Sequence, residues 1–380
     1  MNILFLALDI DLSNQRGDAI HTRELSRFLG ARGNRVDLVT ATSAGAAVGL
    51  GLNVQHHTTP AGSDFKIVCS CAAIARQAAA DVVYERRLSP KIAFGVGRLL
   101  GIPFVVEVNG SEEELAIQGR PATQSRWKRW LRRQMYRRAA RIIAMTEPLA
   151  AEVRERYGLP LDRVTVVPNG VDPDRFSPID PEEARRRLGL SAGPWILFVG
   201  NLALWQGVDG LIRAMPKILE RHPAAKVVIV GGGDLRIFLE DLARDLGLRE
   251  SITFLGPIPY EKVPLHVGAS TVGVVTSTRR MNERIGRSPL KAYEYLACAR
   301  PVVASDVPGV AELVRTAGAG LVVPPDDPGA LADAIARLLA NPEEARAMGE
   351  RGRRFVASEC SWARTAERVE GVLRGAVGKT

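Results

Sequence analysis

Residues 288–306 read Ser-Pro-Leu-Lys-Ala-Tyr-Glu-Tyr-Leu-Ala-Cys-Ala-Arg-Pro-Val-Val-Ala-Ser-Asp, and their spacing decides how the chain is built. Ser288 suits an N-cap and Pro289 the first helical position, so a helix is expected to start here. Leu290, Tyr293, Leu296 and Ala297 recur at helical spacing, and Arg300-Pro301 stops the helix before a strand, Val302–Ala304. A helix start presents unpaired N–H groups and a partial positive charge, a natural seat for a diphosphate. Glu294 falls one turn in, on the face of Leu290, where its carboxylate can accept hydrogen bonds from the two hydroxyls of a ribose. The ordinary alternative is a solvated helix glutamate.

The same strand–helix alternation extends in both directions. Ile3–Leu8 is a continuous apolar run, as expected for a parallel strand covered on both faces. Asp81–Tyr84, Phe104–Val108, Arg141–Met145 and Val164–Val167 follow, with Val36–Thr40 before them and helices between most. A second series comprises Trp195–Val199, Lys226–Val230, Thr253–Leu255, Val272–Thr276, Val302–Ser305 and Leu321–Val323. Residues Asp172–Pro194 read as a linker and the start of a second domain. Helices are expected near Glu343–Ser358 and Trp362–Val377. The pattern predicts two doubly wound α/β domains, and 380 residues suit two of about 150–200 each. Ligands of such sheets sit beyond the carboxyl ends of the strands, which selects the loops 9–19, 109–114, 200–207, 231–234 and 276–288.

Composition excludes more than it selects. No run approaches the roughly 20 apolar residues that span a bilayer, and Met1–Leu8, closed by Asp9 and Asp11, reads as a core strand and not a signal peptide. The scattered Cys69, Cys71, Cys298 and Cys360 have neither metal-site spacing nor a disulfide pattern, so a cytoplasmic protein without a metal is expected. A net charge of +9 favours anionic partners such as nucleotide diphosphates or lipid headgroups, although an arginine- and alanine-rich composition alone produces the same excess. With no recognised module, charge does not argue for nucleic acid. Arg126–Arg141 concentrates arginines around Trp127, Trp130 and Leu131. It reads either as an interfacial helix drawn to anionic lipid or as a helix with inward tryptophans and solvated arginines. His21, His56 and His57 are read as ordinary surface or helix residues.

Three segments in register carry a family likeness: Ser288–Ala297, Val167-Pro168-Asn169-Gly170-Val171-Asp172 with Phe176, and Phe198-Val199-Gly200-Asn201 with Trp205-Gln206-Gly207-Val208. Together they resemble the family 4 retaining glycosyltransferases over nearly the whole chain. The resemblance implies the GT-B fold, two Rossmann-like doubly wound domains facing a central cleft. Residues 1–172 would form the acceptor domain, 173–361 the donor domain, and 362–380 a helix crossing back to the first. It also implies the roles of the residues. Glu294 would grip the ribose of the donor, and Ser288, Pro289 and Leu290 would form the helix start that holds the diphosphate. Ile258, in Leu255-Gly256-Pro257-Ile258, would pack on the base. Gly17, in Arg16-Gly17-Asp18-Ala19, would bring backbone to the phosphate, while Asp18 caps the following helix.

Departures from the family pattern are equally informative. Gly286 stands where a second glutamate usually contacts the transferred sugar, and Glu283 could replace it only if the loop bulges. Asn201 and Gln206 stand where many relatives carry an arginine and a lysine. The leaving diphosphate still needs cations, which Lys291, Arg287 and Arg284 can supply. Asn109 replaces a histidine close to the sugar, so it can hydrogen-bond a hydroxyl but cannot act as acid or base. The Ser-Pro-Leu-Lys and Trp-x-Gly-Val variants together mark a sub-branch, with Asn109, Lys291 and Glu294 as its catalytic set. The expected reaction moves a sugar from a nucleotide-diphosphate donor, first of all a UDP-sugar, to a carbohydrate, lipid-linked or small-molecule hydroxyl. It would proceed without metal or other cofactor, in the cytoplasm or at the inner face of the membrane. Two rivals stand beside it: a sugar-nucleotide epimerase on the same fold, and a non-catalytic nucleotide-sugar-binding protein.

Overall fold

The computed structural model describes residues 1–40, 49–59, 61–111 and 125–378, so residues 112–114 of the expected loop 109–114 lie outside the described residues. The chain divides into two compact units, Met1–Asn169 with Trp362–Thr380, and Gly170–Ser361.

The first unit is built on a parallel sheet of β1 (Asn2–Leu6), β2 (Arg35–Thr40), β3 (Val54–Thr58), β4 (Val82–Arg86), β5 (Phe104–Val108), β6 (Arg141–Ala144) and β7 (Val164–Val166). Their order is β3-β2-β1-β4-β5-β6-β7, which reverses direction between β1 and β4. Ile3, Leu4, Phe5 and Leu6 are fully buried, which explains why β1 reads as an unbroken apolar run. Strand β3 was not expected, since Val-Gln-His-His-Thr carries little apolar signal. It forms because its polar side chains find partners on β2: His56 Nε2 lies 2.8 Å from Thr40 Oγ1, and His57 Nε2 lies 2.8 Å from Asp37 Oδ1. These two histidines therefore belong to an edge strand, partly exposed, and not to a helix. The helix Trp362–Val377 packs on the helix Gly17–Ala31. Trp362 is fully buried, and Arg32 Nε donates to Glu370 Oε2 at 2.5 Å.

The second unit carries β8 (Trp195–Val199), β9 (Lys226–Val230), β10 (Ile252–Gly256), β11 (Val272–Val275), β12 (Val302–Ser305) and β13 (Gly320–Val323). The order is β10-β9-β8-β11-β12-β13, again parallel, with its switch point between β8 and β11. Its core joins Ile196, Phe198, Val227 and Ile229 of the sheet to the helix Val208–Arg221. That helix buries Val208, Leu211, Ile212, Met215 and Ile218, an apolar stripe at helical spacing. The segment after Gly170 is tightly organised. Asp172 Oδ1 accepts from the backbone of Asp174 and Arg175 at 3.1 and 3.3 Å, Phe176 is fully buried, and Arg353 donates to the carbonyls of Pro173 and Phe176 at 2.8 Å.

Candidate functional site

The helix Leu290–Ala297 begins beside the switch point of the second sheet, one residue later than the sequence suggests. Pro289 and not Ser288 occupies the N-cap, and no side chain caps the helix. The residue before a proline is held in extended conformation, and the Ser288 hydroxyl instead pairs with the Tyr293 hydroxyl at 2.9 Å. The seven residues from Lys291 to Ala297 are all buried. Glu294, only 4% exposed, accepts a hydrogen bond from the Tyr260 hydroxyl at 3.0 Å, so it is no solvated helix glutamate.

Lys291 is the unusual group here. Its side chain is buried, its Nζ donates to Gln206 Oε1 at 2.8 Å, and the ammonium lies 3.7 Å from the centre of the Phe198 ring. Both partners are neutral. Burial pushes the ammonium down to about 7 from its ordinary 10.5, with Glu294 opposing the shift. Gly200, at φ +147°, makes room for it, because a Cβ there would stand 3.0 Å from Nζ. Gln206 lies in the short 3₁₀ turn Leu204–Gln206, and its carbonyl accepts from Thr276 Oγ1, which ties the loop after β8 to the loop after β11.

The remaining sequence candidates of this unit are placed as follows. Asn201 lies against the Gly233 backbone: a Cβ on Gly233 would stand 2.6 Å from its Oδ1. Ile258 is half-buried in the turn after β10. Arg287 Nε donates to Asn282 Oδ1 at 2.5 Å, and Asn282 Nδ2 in turn donates to the carbonyls of Trp205 and Thr278 at 2.9 and 2.7 Å. Arg287 therefore braces the loop through Asn282, a hub that sequence reasoning missed. Gly286 has φ +70°, and a Cβ there would come 2.5 Å from the Pro308 carbonyl oxygen, so a glutamate does not fit this backbone. Glu283 is exposed and paired with Arg279 at 2.9 Å, which does not make it a substitute.

In the first unit, Gly17 opens the helix Gly17–Ala31 with Arg16 at its N-cap. Asp18 is not the cap; it sits within the first turn, where a carboxylate complements the helix dipole. Asn109 follows β5, and its amide is satisfied when Nδ2 donates to Glu107 Oε1 at 2.8 Å and Oδ1 accepts from Arg86 Nε and Nη2 at 3.0 and 3.2 Å. Glu107 also receives the Tyr84 hydroxyl, Arg86 Nε at 3.2 Å and His21 Nε2 at 3.1 Å. His21 Nδ1 reaches Asn169 Oδ1 at 2.7 Å. Far from being an ordinary surface histidine, His21 is buried inside this cluster. Burial alone would raise the Glu107 carboxyl, but His21, Arg86 and the Tyr84 hydroxyl outweigh it and hold it at about 2. The available sequence signal was the pair of polar strand ends, Tyr84-Glu85-Arg86 and Glu107, since Arg86 and Glu107 stand opposite each other in the sheet.

The arginine-rich segment forms the helix Arg126–Arg138, and Arg141 already belongs to β6. Trp127 and Trp130 are 65% and 50% exposed and stack on each other with centroids 4.8 Å apart. The reading with inward tryptophans is overturned; Met135 and Tyr136 are the buried residues of this helix.

Comparison with known proteins places this architecture. Residues 180–355 match the family described as Glycosyl transferases group 1, and residues 16–175 match Glycosyltransferase Family 4. The alpha-D-kanosaminyltransferase of Streptomyces kanamyceticus is 31% identical over 288 residues, 73% of this chain and 72% of that protein. The D-inositol 3-phosphate glycosyltransferase of Frankia alni is 32% identical over 402 aligned positions, 94% of each chain. Matches to two further inositol-phosphate relatives reach about half of their length, 52% and 54%. Among solved structures, sucrose-phosphate synthase from Thermosynechococcus elongatus superposes with a TM-score of 0.83 at 24% identity over 100% of both chains. Two Rossmann-like parallel-sheet domains of this kind define the GT-B fold. The chain belongs to the family 4, or group 1, glycosyltransferases.

Proposed function

We propose that this chain is a retaining glycosyltransferase that moves a sugar from a nucleotide-diphosphate donor, a UDP-sugar first of all, to an acceptor hydroxyl. The observation that carries this reading is the buried Lys291 ammonium at the start of the Leu290–Ala297 helix, one turn before Glu294, with its Nζ hydrogen-bonded to the neutral Gln206 amide and set over the Phe198 ring. A buried cation beside a helix N-terminus, whose ammonium the nearby Glu294 carboxylate only partly stabilises against burial, suits a bound anion. Negative charge grows on the departing diphosphate, and Lys291 together with the N–H groups of the helix start stabilises it. The acceptor hydroxyl attacks on the face the diphosphate leaves, so no enzymic nucleophile is needed, and the protein's main task is to orient both substrates. Glu294 holds the ribose. Asn109, whose oxygen is taken by Arg86, offers an N–H and not an acceptor to a sugar oxygen. With lysine carrying the charge, no divalent metal is required.

The relatives' names span kanosaminyl transfer and GDP-mannose-dependent transfer, so the donor is to be found by screening UDP- and GDP-sugars. Transfer of labelled sugar to added acceptors in the presence of a chelator tests the proposal. Donor binding with neither transfer nor slow hydrolysis would favour a non-catalytic protein, and conversion of the donor without transfer would favour an epimerase. Glu294→Gln keeps the shape of the side chain and should leave the melting temperature nearly unchanged. It should weaken donor binding by about 1.5–3 kcal/mol, the worth of hydrogen bonds to a charged group. Titration calorimetry reads this directly, and undiminished affinity would remove Glu294 from the ribose.

The exposed tryptophan pair supports a further element of the function, action at an anionic membrane surface through the Arg126–Arg138 helix. This would place the enzyme at the inner face of the cytoplasmic membrane, working on a lipid-linked acceptor. Each basic residue near such a surface is worth about 1 kcal/mol. Sedimentation with phosphatidylserine vesicles should therefore fall steeply with salt and with replacement of several of these arginines. A protein that ignores the vesicles at low salt does not use this helix for membranes.

A further inference from the structure

Tyr260 belongs to none of the motifs that point to sugar transfer, yet it touches the residue at their centre. It opens a short 3₁₀ turn, Tyr260–Lys262, that follows β10. Its ring is 4% exposed and is held on two sides. Phe176 lies with ring centroids 5.5 Å apart at 52°, and the Arg175 guanidinium stands 5.3 Å from the ring centre. Both come from the segment that follows the Val167–Asp172 signature, where the Asp172 turn and Arg353 fix the backbone. A tyrosine clamped in this way has little freedom at its two side-chain torsions, so the position of its hydroxyl oxygen is set by packing. That hydroxyl donates to Glu294 Oε1 at 3.0 Å in a buried setting.

Glutamate has three side-chain torsions, and the last is broad and weakly restrained. Gripping two vicinal hydroxyls requires the carboxylate plane to be held at one angle, whereas gripping a single hydroxyl tolerates rotation. We infer that Tyr260 is the positioning residue that makes the donor site prefer a ribonucleotide over a deoxyribonucleotide, by orienting the Glu294 carboxylate for the 2′ and 3′ hydroxyls together. This rests on the reading of Glu294 as the ribose grip. It gives the Arg175–Phe176 segment a role as well: these residues hold the tyrosine that holds the glutamate.

The test compares UDP and GDP with their 2′-deoxy and 3′-deoxy counterparts by titration calorimetry, using the full chain. The wild-type protein should bind its preferred diphosphate about tenfold more tightly than either deoxy form, the worth of one hydrogen bond to a charged group. Tyr260→Phe keeps the ring and should bring the ratio to within about threefold. A merely structural tyrosine would lower the affinity for all forms alike and leave the ratio unchanged, and that result overturns the inference. Arg175→Gln is the second variant, which keeps the hydroxyl but loosens the ring, and it should reduce the ratio by a smaller factor. If Tyr260→Phe fails to fold, the Arg175→Gln ratio decides. Wild-type protein that binds ribo and deoxy forms equally would overturn this inference together with the role of Glu294. A ratio lost only in Glu294→Gln, with Tyr260→Phe like wild type, would overturn this inference alone.

Discussion

Lys291→Ala should slow sugar transfer by about 10²–10³-fold, the usual cost of removing one donor aimed at developing charge, with little change in affinity for the free nucleoside. The contrast matters, because the nucleoside has no phosphates for the lysine to meet. A lysine is a compact point charge on a flexible stem and can follow the phosphates as bonds break, which a rigid arginine fork does less readily. The pH dependence has a definite sign. The ligand-free ammonium titrates at about 7, so above that pH binding must first restore its proton. Affinity for the nucleoside diphosphate should decline as pH rises past 7, while affinity for the nucleoside stays level, and the decline should vanish in Lys291→Ala. Gln206 already lies 2.8 Å from Nζ, so Gln206→Lys in the Lys291→Ala background should recover part of the rate. Normal turnover in Lys291→Ala alongside a crippled Arg287→Ala would transfer the role to Arg287.

Glu107→Gln should cost about 3–5 kcal/mol of stability, because it leaves the largely buried Arg86 guanidinium without its carboxylate. The effect has its own pH signature. The Glu107 carboxyl titrates at about 2 in the folded protein against an ordinary 4.5, so its stabilising contribution is complete above pH 4.5 and is lost as pH falls toward 2. Denaturant titrations should show a constant gap between wild type and mutant from neutral pH down to about 4.5, closing below it. A mutant as stable as wild type at pH 7 would mean that the cluster holds nothing together. Donor turnover should fall too, since the Asn109 amide loses the partner that fixes its orientation.

How much of this was readable from sequence follows from where each element draws its stability. Strands β8, β9 and β12 were delimited to the residue, because strands buried on both faces read as unbroken apolar runs. Strand β3 escaped notice because it depends on Asp37 and Thr40, polar partners 16 to 20 residues away on a neighbouring strand. The start of the Leu290–Ala297 helix was misread because Pro289 takes the N-cap and the Ser288 hydroxyl pairs with the Tyr293 hydroxyl. Lys291 and Glu294 were visible as motif residues, but their burial and the packing of the Lys291 ammonium on Gln206 and Phe198 were not. The His21–Glu107 cluster was invisible, since it joins residues up to 148 positions apart. Tyr260 and Glu294 are likewise brought together only by the sheet, across 34 positions.

The turn that seats Gly286 beneath the Pro308 carbonyl limits what can stand at that position. An acidic side chain there would need a left-handed backbone that side chains disfavour and a Cβ only 2.5 Å from that oxygen. A side chain at position 286 therefore requires the segment carrying Pro308 to move with it. Position 286 is locked by its neighbour: a new side chain and a displaced Pro308 come together or not at all.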